Sequence, residues 1–383
     1  MSNILKLYLY FFLGRLNMWM VISVLYLLNR GFSMTQITLL GSVFWLVLVL
    51  FEIPTGSVAD KVGRKASLMC ACVLSSIGMI YFGISKTFVS VLISYIIWAI
   101  GVTFESGAAS AFLYDSLKEM GREEEYTKFM GGAMSISFIS ASIGAVAAGF
   151  LGSIQLNVPI LLNGGITIIM FFITLTFKEP EITRTSEPYL RHVKSSIQYA
   201  SKHPQVRSII LYYALVFSIL WILQVFYQPY LKNLGFVVGY IGIIYFLMKL
   251  VGAAASAVSA KFKDYVGEWT WLKLLPFVLA GSIFFMGMST TRIGVSFIFV
   301  NSFLHAISTP IISAYVNKRI PSEKRATILS LMSLVNSFAM IFTEPLLGHS
   351  VDLFGLGTTF HIAATAFLSL AVIVLLYWWK YIE

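Results

Sequence analysis

Charge is scarce in this chain. Asp, Glu, Lys and Arg make up 11% of 383 residues, against roughly a quarter in a soluble globular domain. With 58% apolar residues, water is excluded as the main solvent. Cysteine is nearly absent too. Cys70 and Cys72 stand two apart in an apolar run and point to nearly opposite sides of a helix, so neither an intrachain disulfide nor a metal site follows. No G-x-x-x-x-G-K-[S/T] loop occurs, which excludes direct nucleotide-driven transport. H-E-x-x-H, G-x-S-x-G and carboxylates at metal-ligand spacing are missing as well, so no enzyme, cofactor or metal is expected. The net charge of +10 does not point to nucleic acid, because the bases sit in short loops between apolar stretches rather than on one soluble face.

What is present is a series of long apolar runs. A crossing of the hydrocarbon core needs roughly 20 mostly apolar residues, and the runs place helices near 4–28, 36–58, 66–84, 88–117, 126–151 and 159–177. After a polar segment come 206–231, 236–260, 269–288, 293–316, 326–350 and 358–377. The first is too long for a secretory signal and has no clear cleavage site, so it reads as an uncleaved helix. The expected organisation is an all-α membrane protein, with a six-helix bundle over 1–177, a linker over 178–206 and a second bundle over 207–383. The linker mixes both charge signs with Pro180, Pro188 and Pro204, as a hydrated connection would; its middle is a candidate for a short surface helix.

Alternate loops differ in basic content. Lys61, Arg64, Lys65, Lys118, Arg122, Lys128, Lys261, Lys263, Lys318, Arg319, Lys324 and Arg325 fall on one side, whereas the other holds Arg30, Lys86, Lys232 and Arg292. Positive charge collects on the cytoplasmic side. An even span count then puts both termini in the cytoplasm of a multi-pass plasma-membrane protein. Asp60-x-x-Gly63 at the end of the second span recurs as Asp264-x-x-Gly267 at the end of the eighth, and Gly56-x-x-x-Asp60-x-x-Gly63 recurs as Gly348, Asp352 and Gly355 on the opposite side. Nested inverted repeats produce this pattern; chance recurrence in a glycine-containing chain is the alternative.

Between spans two and three runs Gly56-Ser-Val-Ala-Asp60-Lys61-Val-Gly63-Arg64-Lys65. The glycines permit close helix packing and a tight turn, while Asp60 can cap a helix or pair with a base. This loop resembles the signature of the major facilitator superfamily, and span count, linker and orientation extend the resemblance to the whole chain. The resemblance implies twelve transmembrane helices in two pseudo-symmetric bundles, transport by alternating access, and a gating role for Asp60 and Arg64. Gly144-Ala-Val-Ala-Ala-Gly149 in the fifth span looks like a weakened form of the family's antiporter signature, with Ala145 where the proline would be. A small-residue face remains; the kink-forming proline is gone. The fourth-span arginine of many family antiporters would fall near Thr103, and Glu105 stands two residues later instead. Glu52-Ile-Pro54 ahead of the loop is similar to the variant signature of clostridial tetracycline-efflux pumps.

Ionisable residues within a bilayer are costly unless they face a cavity or a partner. Arg15, Glu52, Glu105, Lys249 and Glu344 qualify. Helices one, four, seven and ten line the family's central cavity, so the resemblance places Arg15, Glu105, Gln224 and His305 near the transport path, with Trp221 and Gln228 beside them. Glu105 is expected to load and release a proton or to form a permanent ion pair with Arg15. Glu344, before Pro345, pairs with Lys249, couples protons or does neither. Glu52 is expected to reach Arg64 or another base in the gate, with substrate binding as the alternative. Asp115 joins the Asp60 network or is simply hydrated. His305, among Ser302, Ser308 and Thr309, serves transport or is a hydrogen-bonded packing residue. The expected function is proton-coupled export of small amphipathic or drug-like compounds by a monomer in the lipid bilayer, a route to antibiotic resistance; a metabolite, sugar or siderophore carrier is the alternative.

Overall fold

The structure is a computed structural model that describes residues 3–181, 198–320 and 322–380. Residues 182–197, where the linker helix was expected, lie outside the described residues. The described chain is built from helices: α1 (Asn3–Gly14), α2 (Ser23–Asn29), α3 (Met34–Val62), α4 (Arg64–Ile84), α5 (Phe88–Glu105), α6 (Ala108–Glu119), α7 (Tyr126–Ile154), α8 (Val158–Leu175), α9 (Pro204–Asn233), α10 (Val238–Val266), α11 (Glu268–Met288), α12 (Val295–Arg319) and α13 (Ser322–Trp379). Eleven stretches are long and apolar enough to cross a membrane. The last, Ile328–Trp379, has 52 residues, or about 78 Å of helix against a hydrocarbon core of about 30 Å. Its backbone breaks at Gly355 (φ 78°, ψ 168°), so it provides two crossings and the total is twelve. Large apolar side chains such as Leu50, Phe138, Phe150, Phe172, Phe342 and Leu376 lie exposed, as lipid-facing residues do.

Two expected spans are not continuous helices. The first stops at Gly14, resumes as a 3₁₀ turn over Met18–Val21 and continues as α2, with Asn17 in the left-handed region at φ 41°. The fourth is cut between α5 and α6 at Ser106 and Gly107, where Gly107 has φ 72°. Only a few polar residues and one glycine mark each break, Gly14 to Asn17 and Thr103 to Gly107, and the long apolar runs on either side make each span read as unbroken helix.

The chain falls into two compact units. One comprises the residues through Phe32, Val43 to the linker, and Val237–Phe246; the other comprises Ser33–Ser42, the linker's end to Phe236, and Leu247 onward. The first nine residues of α3 and of α10 thus group with a different unit from the rest of their helices. Within the first unit α4 packs on α5 and α8, and Leu7, Tyr10, Leu68, Phe112 and Leu113 form a buried core. Within the second, α13 packs on α9 and α11, and the buried Trp378 meets the rings of Tyr212, Trp269 and Tyr315.

All three Asp-x-x-Gly repeats end a helix in the same way. Gly63 (φ 125°, ψ 158°), Gly267 (φ 84°, ψ 135°) and Gly355 (φ 78°, ψ 168°) share a positive φ with an extended ψ, a conformation essentially restricted to glycine. The repeated letters therefore mark a repeated backbone turn. A Cβ at Gly355 would meet no atom, so substitution there isolates the backbone cost. Gly355→Ala is expected to destabilise the protein by about 1–2 kcal/mol. Gly165→Ala, within α8 and equally open, is expected to be neutral or stabilising by up to about 1 kcal/mol. Midpoints of thermal unfolding in detergent check the pair, and equal shifts would contradict the strain at Gly355.

Candidate functional site

The two helix breaks bring together the charges that an apolar helix tolerates least. Arg15 follows α1 directly, Glu105 is the last residue of α5, and Arg15 Nη2 lies 3.7 Å from Glu105 Oε1. A break frees backbone groups that hydrocarbon cannot satisfy, and here neighbouring side chains take them up. Around Arg15, the Ser140 hydroxyl donates to the Phe12 carbonyl, and Met18 N–H donates to Asn163 Oδ1 at 3.1 Å. Around Glu105, the Thr55 hydroxyl donates to the Thr103 carbonyl at 3.2 Å and the Ser67 hydroxyl to the Phe104 carbonyl at 2.7 Å. Gly144 of the small-residue motif lies against the Leu16 carbonyl, where a Cβ would collide. Five residues on, Gly149 packs on Gly239 and Gly242 of α10, whose backbone atoms a Cβ would meet at 2.8–2.9 Å. The missing proline of the antiporter-like motif thus leaves a working close-packing face.

The Arg15 and Glu105 side chains are 48% and 28% exposed. Tyr10 and Cys72 lie within electrostatic reach of Glu105. Cys72 is buried and Cys70 exposed, as opposite helix faces require. Sequence reasoning did not single out Tyr10, Ser140 or Asn163, because hydroxyls and amides scattered through apolar helices announce no partner.

The second cluster surrounds the signature loop. Arg64 Nη1 meets Asp60 Oδ1 at 2.8 Å, and Arg64 Nε lies 3.9 Å from Asp115 Oδ2. Asp115 therefore belongs to the Asp60 network. Glu52 does not: it is exposed on α3, and among the described residues Arg64 pairs with Asp60 and Asp115. Two turns from Asp60 along α3, its carboxylate is out of the guanidinium's reach. Gly56 also differs from expectation, since a Cβ there would touch nothing. The loop's main anchor lies in the linker. Glu179 accepts the Arg64 N–H at 2.8 Å and the Lys65 N–H at 2.7 Å, placing a carboxylate on the free amides and positive end of α4. A Cβ on Gly63 would strike that carboxylate at 2.9 Å, a second reason for glycine there. Lys65 Nζ donates to the Leu175 carbonyl at 2.8 Å.

In the second unit, Lys249 forms no ion pair among the described residues, so the proposed pair with Glu344 is not made. The His305 ring stands edge-on to Phe217 with centroids 5.5 Å apart. The hydroxyls near His305 are engaged elsewhere: Ser302 donates to the Met248 carbonyl, Thr309 to the His305 carbonyl, and Ser308 accepts from the Trp271 indole. Among the described residues the contact made by the His305 ring is with Phe217. Glu344 is buried against Gly41 of α3, where a Cβ would collide with its carboxylate. Gln224 is half-buried, Gln228 buried and Trp221 exposed on α9. Among the described residues no three His, Cys, Asp or Glu side chains converge as a metal site.

The family model described as Major Facilitator Superfamily matches residues 7–343. The MFS-type transporter YxaM of Bacillus subtilis (strain 168) is 24% identical over 365 residues, 92% of this chain and 90% of that protein. The quinolone resistance protein NorA of Staphylococcus aureus is 23% identical over 188 residues, about half of each chain. Among solved structures, the nucleoside transporter NupG superposes with a TM-score of 0.84 at 16% identity, covering 98% of this chain and 99% of the other. A D-xylose-proton symporter superposes with a TM-score of 0.76 at 15% identity, covering 99% and 98%.

The Glu179 anchor yields a direct test. Glu179→Ala is expected to lower stability by about 1–2 kcal/mol, the range for losing a helix cap, and Glu179→Gln by less. Glu181→Ala, two residues on, is expected to leave the unfolding midpoint in detergent unchanged; equal shifts from Glu179→Ala and Glu181→Ala would refute the cap.

Proposed function

This chain belongs to the major facilitator superfamily, and from that premise we propose that it is a proton-coupled exporter of small amphipathic compounds working by alternating access. The observation that carries the reading is the Arg15–Glu105 pair, seated at breaks in two helices and open enough to be switched. Discontinuous helices are where transporters hold their substrates and coupling ions, because the exposed backbone ends make polar chemistry tolerable within the bilayer.

The proton balance is simple. With Glu105 ionised, its carboxylate offsets the Arg15 guanidinium. Taking up a proton from outside neutralises Glu105 and removes that attraction; releasing the proton inside restores it. A cationic amphipathic substrate competes with Arg15 for the same carboxylate, so proton and substrate occupy Glu105 in turn, as exchange requires. Export is supported by the NorA relationship over about half of the chain and by the close-packing face at Gly144 and Gly149. Aromatic residues make up 15% of the chain, a composition that suits a lipophilic substrate better than a sugar. The basic loops support a plasma-membrane orientation with both termini in the cytoplasm.

Glu105→Gln keeps the side chain's size but fixes its charge at zero. Uptake of a lipophilic cationic dye into inverted membrane vesicles, driven by a pH gradient, is expected to fall to background in this variant while the protein remains monodisperse. Transport at the full wild-type rate under the same gradient would overturn the role of Glu105 and make Glu344 the next carboxylate to replace.

A further inference from the structure

The third copy of the Asp-x-x-Gly pattern has no base like Arg64 after it; Gly355 is followed by Leu356 and Gly357. Its carboxylate is used differently. Asp352 Oδ1 accepts the Met34 N–H at 2.9 Å, and Oδ2 accepts the Thr35 N–H at 2.7 Å and the Thr35 hydroxyl at 2.5 Å. Met34 and Thr35 open α3, so one carboxylate from 317 residues away sits on two of the helix's free amides.

The local sequence already satisfies the rest of that helix end. Ser33-Met-Thr-Gln36 is a capping box: the Gln36 N–H donates to the Ser33 hydroxyl at 3.2 Å, and the Ser33 N–H donates to Gln36 Oε1 at 3.1 Å. The Met34 and Thr35 amides are left over, and Asp352 takes both. An anion at this position also meets the positive end of the helix dipole. Close approach is secured by two glycines. A Cβ at Gly348 would collide with the Thr38 hydroxyl and lie 2.7 Å from the Met34 carbonyl, and a Cβ at Gly41 would collide with Glu344.

These contacts all lie in the second unit, to which Ser33–Ser42 belongs, whereas Val43 to Val62 belong to the first. One helix is therefore shared, with Asp352 at its start and the Asp60–Arg64 pair at its end. We propose that Asp352 is a latch for the membrane face opposite the signature loop, holding the start of α3 while that face is closed and releasing it once per transport cycle. The proposal rests on the alternating-access reading but not on the coupling ion or the substrate.

Distances between spin labels test it without any transported compound. Labels at Lys86→Cys and Thr291→Cys, both exposed and in loops at the Asp352 end of the helices, are introduced into full-length protein lacking Cys70 and Cys72. Pulsed electron resonance then reads the populations of close and distant label pairs. In Asp352→Ala the ratio of distant to close pairs is expected to rise about tenfold, as loss of charge-assisted hydrogen bonds predicts. Thr35→Val, which keeps both backbone amides but removes one donor, is expected to shift the ratio the same way by less. If Asp352→Ala does not fold, Thr35→Val decides the matter alone. Unchanged distributions in the folded variants would overturn the latch. Loss of dye transport in Glu105→Gln with its label distances unchanged bears on the coupling reading and leaves the latch standing.

Discussion

Hydrocarbon offers no partner to a backbone N–H or C=O, and the layout of this protein follows from that one constraint. A helix satisfies its own backbone, so long apolar helices fill the fold. Every interruption must bring its own partners. The break after α1 uses Ser140 and Asn163 and the break after α5 uses Thr55 and Ser67, while at the membrane's edge the start of α4 uses Glu179. Each interruption thus needs specific side chains from other helices, and each coincides with a charged residue: Arg15, Glu105 or Arg64.

The same constraint explains where glycine is indispensable. At Gly63, Gly267 and Gly355 the chain turns through a backbone conformation closed to other residues. At Gly144, Gly149 and Gly348 it is the neighbour's backbone that leaves no space for a side chain. The first set lets helices end within a residue or two; the second lets the helices beside those ends come close enough for hydroxyls and carboxylates to reach the exposed backbone. A carboxylate on helix amides recurs as the fastening device, with Glu179 on α4 and Asp352 on α3.

The membrane-spanning class, the twelve crossings and the signature loop were legible in the sequence, because hydropathy over twenty residues and a rigid spacing of Asp and Gly are local properties. The Arg15–Glu105 neighbourhood was legible as a pair of expensive charges. The breaks that seat those charges were not, since the apolar runs of α1 with α2 and of α5 with α6 are interrupted by only a few polar residues around Asn17 and Gly107. Glu52 misled for a related reason: proximity along the chain to Pro54 and Asp60 said nothing about which way its side chain would point.

By itself, then, the sequence determined how many helices cross the bilayer, where the basic loops fall and which turns require glycine, because each depends on residues within a few positions of one another. Tertiary structure alone decided that Arg64 takes Asp115 and not Glu52, that Glu344 packs against Gly41, and that Glu179 and Asp352 cap helices 115 and 317 residues away. Those choices depend on which backbone groups are left unsatisfied once the helices have packed, and no local pattern in the chain records that.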